Sequence, residues 1–399
     1  MRRIALATLA LFCSTCVGTI TVRRPTYAHP APACEDAPAD IDVVTFNAGL
    51  GPGIVQYSSG RSPHVIDAVA STPFDVLCLQ EIWTDADRDA IVARLGLPRE
   101  NVAFARTAGL GETGDDRCSE GELARLEACI TRKCAGFRGE DVTICGLSQC
   151  KSALTSLFMS DRECVNCLAA MAGRSAEDVR RTCTSTGASR IYGGRNGVIL
   201  ASRWPLHDTQ AIMLPASNAN RVALFARVDI PGRGSVELAC THISSTQEIP
   251  PYHSGYDEWD EEKEAQLIMI SDRLRDRAQG RPQLFVGDMN FGGARGETVE
   301  DESGWIWYDA HERGFSDPVG YVDPPICSMC AGNTFVGHPR RSQVIDHVLL
   351  RDPPGGADLY PTCAEHLFDR PVSIPGYDGR PVVTNLSDHY GIRVKFRFR

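Results

Sequence analysis

A layered α/β sandwich carrying a cysteine-rich, mainly helical insertion is the fold class the sequence predicts. Three observations predict it. Short apolar segments recur along the chain and each ends in polar residues. Helix-patterned stretches lie between several of them, and mixed strands and helices with covered sheet faces pack as layers. Residues 111–190 alone break the pattern, with eight cysteines in one segment.

The apolar segments are "IDVVTFN" (41–47), "FDVLCLQE" (74–81), "GVILASR" (197–203), "VELACTH" (236–242), "PQLFVGD" (282–288) and "VIDHVLL" (344–350). Near-continuous apolarity, in place of strict alternation, marks strands covered on both faces. Between them, "SPHVIDAVAS" (62–71) has helical period. Thr84 caps "DADRDAIVARLG", with Ile91 and Leu95 facing inward and Gly96 closing the helix. Residues 257–280 place acids early, arginines late, and Leu267, Ile270 and Leu274 at helical spacing before Gly280.

The ends of the chain and its composition narrow the classes. Arg2 and Arg3 precede the apolar run "IALATLALFCSTCVGTI", and a small-residue end occurs at Thr26–Ala28. Residues 1–28 therefore read as a secretory signal, leaving 29–399 as the mature domain. Arg23 and Arg24 are unusual there and leave the cleavage point open. Lipid attachment at Cys13 or Cys16 lacks a clean small-residue lead-in. The expected location is secreted or cell-envelope, with no transmembrane segment in the mature chain. The 399 residues have a hydrophobic content of 43%, a charged content of 23% and a net charge of −10. Removing the four arginines of the signal takes the charge to about −14. An acidic protein gains nothing from counterion release on duplex DNA, which weakens a nucleic-acid reading. Bound divalent metal would offset local acidity.

Fourteen of the sixteen cysteines lie beyond the signal. Cys118, Cys129, Cys134, Cys145, Cys150, Cys164, Cys167 and Cys183 form an even, clustered set that reads as a disulfide framework. Zinc is the competing reading, but only Cys164 and Cys167 have short ligand spacing and no histidine is near. Cys129/Cys134 and Cys145/Cys150 share a five-residue step, as in a helical hairpin stapled to itself. The insertion is either a rigid surface element or a selector of substrate. Cys34, Cys327, Cys330 and Cys363 supply two further bridges. Cys78 and Cys240 fall in buried strands and read as core thiols.

The polar residues ending the strands carry the chemistry. In "PQLFVGDMNF" a buried strand runs into Asp288 and, two residues on, Asn290. A carboxylate at such a place costs several kcal/mol, in order of magnitude, unless something pairs with it. Strand alternation puts Asn290 on the same face. Asn47, Glu81, His242 and Asp346 end other strands, and Asp388–His389 sits in "LSDHYGI". Singly, each has a structural explanation: Asn47 as a turn former, Glu81 as a cap partner, His242 as a satisfied core histidine. Jointly, chain-distant strand ends along one rim gather into one pocket.

"TFNAG", "LQEIW", "THIS", "GDMNF", "IDHVLL" and "SDHYGI" occur in an order that resembles the endonuclease/exonuclease/phosphatase superfamily over roughly 41–105 and 191–399. The resemblance implies a four-layer α/β sandwich, two central mixed β-sheets flanked by helices, that cleaves phosphate esters with a divalent metal. Mg²⁺ is the implied ion, with Mn²⁺, Co²⁺ or Ca²⁺ as alternatives for oxygen ligands. Glu81 and Asn47 suit the metal, with Asp388 near it and the water. His389 fits the base for an attacking water, since its unperturbed pKa lies near neutrality. The resemblance makes Asp346 the residue that holds the second nitrogen of His389. His242 would donate to a phosphate oxygen, Asn290 would stabilise the transition state, and Asp288 would orient the water. Arg195 and Asn196, in "GGRNGVILASRWP", are placed to contact a phosphate or head group. A glycine-rich turn with an exposed arginine is the competing reading.

"FDVLCLQEIWTDADRDAIVARL" and "GVILASRWPL" look like the sphingomyelinase-type branch, which hydrolyses a phospholipid head-group phosphodiester. Peripheral membrane contact would use Trp259, or Trp305, Trp307 and Tyr308, as seating aromatics. The alternative enzyme resembles the pancreatic-type secreted nucleases, for which Arg340 and Arg341 are the basic cluster near the rim. A phosphomonoesterase lacks an evident cluster of cations for a dianion. A third class is an inactive relative that binds through the insertion.

Overall fold

The computed structural model describes residues 34–105, 116–137, 140–217, 219–246, 252, 255–322, 324–336, 342–355, 359–377 and 379–399. The signal segment, Cys13 and Cys16, and Arg340 and Arg341 lie outside the described residues.

Each expected strand and helix forms, and the chain adds others. The first half runs β1 (Ile41–Leu50), α1 (Ser58–Ser71), β2 (Val76–Ile82), α2 (Asp85–Leu95), β3 (Val102–Ala103), and then five helices. These are α3 (Glu120–Lys133), α4 (Glu140–Gln149), α5 (Lys151–Ser160), α6 (Arg162–Ala170) and α7 (Ala176–Thr184). There follow β4 (Ile199–Ser202), β5 (Leu206–Leu214), β6 (Arg221–Ile230), β7 (Gly234–His242), α8 (Trp259–Ala278), β8 (Gln283–Asp288) and α9 (Gly304–Glu312). The chain closes with β9 (Asp346–Arg351), β10 (Leu359–Leu367), β11 (Val372–Pro375), β12 (Pro381–Thr384) and β13 (Gly391–Phe398). Helix α2 starts and stops as its sequence dictates. The Thr84 side chain accepts from Asp87 N–H, and Gly96 closes the helix in the left-handed conformation.

Two mixed sheets face each other. One has the order β10-β13-β1-β2-β4-β3 and the other β5-β6-β7-β8-β9. Among the described residues, only the β1/β2 and β7/β8 pairs are parallel. Period-two alternation sorts the side chains into layers. Ile41 and Val43 of β1 meet Leu284 and Val286 of β8 between the sheets. Val44 and Phe46 point outward against Val65 and Val69 of α1 and Ile91 of α2. On the far side, Phe285 and Leu349 pack against Leu267, Ile270 and Leu274 of α8 and Ile306 of α9. Helix, sheet, sheet, helix is the four-layer order. Burial of each such aliphatic side chain is worth about 1.5–3 kcal/mol.

All fourteen cysteines among the described residues are paired. Cys78 and Cys240 are not core thiols: they form a disulfide between β2 and β7, with Cα atoms 5.6 Å apart. Both lie on the inter-sheet faces of their strands, so the same burial that suggested inert thiols brings them together. Cys34–Cys363 and Cys327–Cys330 are the two further bridges. In the insertion, Cys129–Cys150 and Cys134–Cys145 nest as rungs of one hairpin. Cys164 pairs with Cys118 and Cys167 with Cys183, which removes the zinc reading of that pair. Leu123, Leu126, Leu154, Leu157 and Val165 give α3–α7 a small core of their own.

Of the aromatics expected at a membrane, Trp259 and Trp307 are instead buried, because they lie on the inner faces of α8 and α9. Trp305 and Tyr308 are exposed, at 46% and 62%.

Candidate active site

The inter-sheet faces of β7, β8 and β9 deliver three polar side chains in one row. His242 pairs in register with Asp288, and Asp288 with Asp346. Each continues a face that is apolar until the strand ends: Leu238 and Cys240 before His242, Leu284 and Val286 before Asp288. All three are buried. His242 Nε2 lies 3.3 Å from Asp288 Oδ2.

The opposite sheet meets this row directly. Asn47, at the end of the inner face of β1, donates from Nδ2 to Asp288 Oδ2 at 2.8 Å and to Glu81 Oε1 at 3.1 Å. Alternation would send Glu81 outward with Leu77 and Leu79. Its φ of +57° departs from the strand and turns the carboxylate back to Asn47. Such a conformation costs about 1–3 kcal/mol in a non-glycine residue and is tolerated where its surroundings over-determine it. Beside it, Gly49 at φ +55° sits so close to the last loop that a Cβ would lie 2.8 Å from Asp388 Oδ1. Only glycine allows β1 and the "SDH" turn to converge there.

That turn carries the remaining residues. His389 Nδ1 is 2.7 Å from Asp346 Oδ2, and the carboxylate as acceptor keeps a proton on Nδ1, so Nε2 is the nitrogen that can accept when the imidazole is neutral. Asp388 Oδ1 accepts from Ser387 Oγ at 3.0 Å. Asn290 does not alternate along β8. The strand ends at Asp288, and Asn290 adopts φ +48° in the turn that follows. Its N–H donates to Asp288 Oδ1 at 3.0 Å and its Nδ2 to Ile243 O at 2.9 Å, so it braces Asp288 and the end of β7.

The site is crowded with buried acids. Burial, then the charge of Asp346, pushes the Asp288 carboxyl up to about 7. Burial and the nearby Asp388 raise Glu81. Burial opposes protonation of His389, but Asp346, Asp388 and Asp288 outweigh it and hold the imidazole well above its usual range. His242 is driven well below that range by burial and by Arg221 and His389, so it is neutral. A pocket of oxygen donors carrying more negative charge than its protein cations balance fits a hard divalent cation. Asp288, Asp346 and His389 bring ligand atoms within 4.8 Å of one another. Glu81, Asn47 and Asp388 border the same acids from the other sheet.

Two arginines absent from the sequence reading belong here. Arg221, the first residue of β6, is 5% exposed, and the charges of Glu81 and Asp288 act on it. Its Nη1 has no hydrogen-bond partner among the described residues, nor do His242 Nδ1 and Asp346 Oδ1. Arg61 of α1 is fully buried and donates to the carbonyls of Ala48, Gly49 and Leu386, tying the β1 turn to the "SDH" turn. The apolar run in "RVALFARVDI", which the sequence reading passed over, is the signal that could have placed Arg221 at a strand terminus. A lone arginine within a helix gave no such signal for Arg61.

The hydrogen bonds and ion pair described for Arg195 and Asn196 go to residues outside the cluster. Arg195 Nη2 pairs with Asp85 at 2.9 Å on the surface. Asn196 is buried, donating to Ala105 O and accepting from Val198 N–H.

The family model of the Endonuclease/Exonuclease/phosphatase family matches residues 44–389. No curated protein sequence matches the chain. Solved structures that share the fold include three that span nearly the whole of their own chains. SmcL is 11% identical with a TM-score of 0.52, covering 90% of this chain and 99% of that one. A beta toxin variant from Staphylococcus aureus with bound magnesium ions is 13% identical at 0.50, covering 90% and 99%. A mannosyl-6-phosphatase of Bacteroides thetaiotaomicron is 11% identical at 0.50, covering 90% and 100%.

Proposed function

Because this chain belongs to the endonuclease/exonuclease/phosphatase family, we propose that it is an exported, divalent-metal-dependent phosphoric diester hydrolase acting on a phospholipid head group. The register row His242–Asp288–Asp346, closed across the sheets by Asn47 and flanked by His389, is the observation that carries the chemistry. Seven disulfides support an extracellular or envelope location, and no described helix is long and apolar enough to cross a membrane.

In this reading Asp346 fixes the tautomer of the neutral His389, whose Nε2 takes the proton of the attacking water. Asp288, held by Asn47 and by the Asn290 N–H, orients that water. Asn290 acts on the transition state through this bracing, not by a free amide. His242 and Arg221 face the phosphoryl oxygens, with the buried guanidinium countering their charge. Arg221 takes the phosphate-facing role here, while Arg195 and Asn196 shape the adjoining loop. Glu81, Asn47 and Asp388 would hold the cation, Mg²⁺ first, which when bound neutralises the diester's charge and eases departure of the leaving oxygen.

The sphingomyelinase-type phrases, the acidic charge and the exposed Trp305 and Tyr308 favour a lipid surface over duplex DNA. The shared fold does not choose among these substrates. A panel with Mg²⁺ does: sphingomyelin in liposomes, supercoiled DNA and bis(p-nitrophenyl) phosphate. Lipid turnover without nicking is the expected result. Nicking without lipid turnover would assign a nuclease, and silence throughout an inactive binding protein. EDTA should abolish turnover and Mg²⁺ restore it.

A further inference from the structure

The "CSMC" segment, Cys327 to Cys330, has no role in the chemistry proposed above. Its disulfide spans a sequence separation of 3, whereas the other six span 11 to 329. The constraint a disulfide places on the unfolded chain grows with loop length, so this bridge does least as a staple.

Its surroundings give it another use. Ser328, between the two cysteines, accepts at Oγ from the N–H groups of Ile345 and Asp346, each at 3.0 Å. Its own N–H donates to Gln343 O at 2.9 Å, and its carbonyl accepts from Tyr390 N–H at 2.7 Å. One residue thus grips both segments that carry Asp346 and His389. From β10, His366 Nε2 lies 2.5 Å from Cys327 O, 3.1 Å from Cys327 N and 4.0 Å from Cys330 Sγ. The His366 ring also packs edge-on to Tyr390, with centroids 5.6 Å apart. Cys330 is 5% exposed and Cys327 is half-buried, so one sulfur is within reach of a small thiol.

We propose that Cys327–Cys330 is a reversible thiol–disulfide site that, through Ser328, sets the position of the Asp346–His389 pair. The proposal rests on the functional reading above for its effect on turnover, and on geometry alone for the clamp. A dithiol reductant supplies the electrons. Its thiolate attacks Cys327 Sγ, forming a mixed disulfide and releasing the Cys330 thiolate beside His366. The reductant's second thiolate then displaces Cys327, so two electrons and two protons reach the cysteines and the reductant becomes a disulfide. Without the short covalent loop, the Ser328 backbone loses the restraint that aligns its four hydrogen bonds.

The test titrates the native protein with dithiothreitol, traps thiols with iodoacetamide and maps them by mass spectrometry. Turnover of bis(p-nitrophenyl) phosphate with Mg²⁺ is followed in parallel. Cys327 and Cys330 should be labelled ahead of the other cysteines, and kcat should fall about tenfold with KM within about twofold, as for loss of a positioning shell. Reoxidation should restore kcat. Ser328→Ala should show the same fall without reductant, and Ser328→Thr, which keeps the hydroxyl, should recover it. Amide hydrogen exchange provides a readout independent of turnover: Ile345, Asp346 and Tyr390 should exchange faster after reduction and in Ser328→Ala. Activity loss that tracks another cysteine pair, or unchanged exchange at these amides once Cys327 and Cys330 are reduced, would overturn the proposal. If the native protein hydrolyses no phosphodiester, the functional reading fails by itself, and exchange still decides the clamp.

Discussion

Replacing Asp346 by Asn keeps the side chain's shape and removes its charge. The Asp346 N–H donates to Ser328 Oγ, and that bond survives the change. What is lost is the anion 2.7 Å from His389 Nδ1, both groups being buried. When His389 takes a proton, the imidazolium forms beside a carboxylate whose charge centre lies roughly 4 Å away. With an effective dielectric constant of about 20, Coulomb's law gives about 4 kcal/mol for that interaction. An amide supplies almost none of it, so kcat should fall on the order of 10³-fold, with KM nearly unchanged because Asp346 is not assigned to substrate. Steady-state turnover of bis(p-nitrophenyl) phosphate with saturating Mg²⁺ measures this, with near-UV circular dichroism and thermal unfolding to establish a native fold. A folded Asp346→Asn protein within tenfold of the wild-type kcat would show that His389 does not work as a base oriented by this carboxylate.

Three other perturbations probe separate parts of the molecule. Replacing Cys78 and Cys240 together by Ala opens a bridge with a sequence separation of 162 and should lower stability by roughly 3–5 kcal/mol in guanidinium unfolding, while a loss under about 1 kcal/mol would remove the inter-sheet staple as a stabilising element. His347 Nδ1 and Asp317 Oδ2 form a buried pair at 3.1 Å. Burial opposes both charges, but each charge favours the other, lowering Asp317 well below its usual range and raising His347. The depressed Asp317 stabilises the fold above about pH 4 and loses this as pH falls through its folded value; the raised His347 contributes fully below about pH 6.5 and loses this as pH rises through its own. Asp317→Asn should therefore lower stability by about 3 kcal/mol between about pH 4 and 6.5 and by less at alkaline pH, whereas a deficit that grows above pH 7 would contradict the pairing. Finally, a Cβ on Gly173 would lie 2.5 Å from Pro52 O, where the insertion meets the β1–α1 turn beside Glu81. Gly173→Val should displace that turn and lower kcat/KM about tenfold without unfolding the insertion, and wild-type kinetics would detach the insertion from the site.

The strands were legible because their signal is local. "PQLFVGD" and "VELACTH" carry their burial in their own residues, and a polar residue ending such a run is conspicuous. The ends of α2 were equally legible, since Thr84 and Gly96 act within one turn of the helix. Alternation misled at Asn290, and at Glu81 it does not account for the inward carboxylate that the sequence reading expected. Both adopt positive φ, and nothing in the identity of a Glu demands that conformation; the demand comes from Asn47 and Asp388 across the pocket. Burial read as apolar inertness also misled at Cys78 and Cys240, because a sequence shows that two thiols are buried but not that they face each other.

What the sequence determined by itself is the supply of parts: strands apolar on both faces, each ended by a group able to bind, hold or move a proton, and an even set of cysteines. The tertiary structure alone decided which parts meet. Asn47 and Asp288 are 241 residues apart and touch because two sheet registers and one inter-sheet packing bring their strand ends together. Arg221, Arg61 and Ser328 acquire their places in the same way. Short-range patterns follow from the geometry of one helix or strand, whereas contacts between distant segments depend on how every layer between them packs.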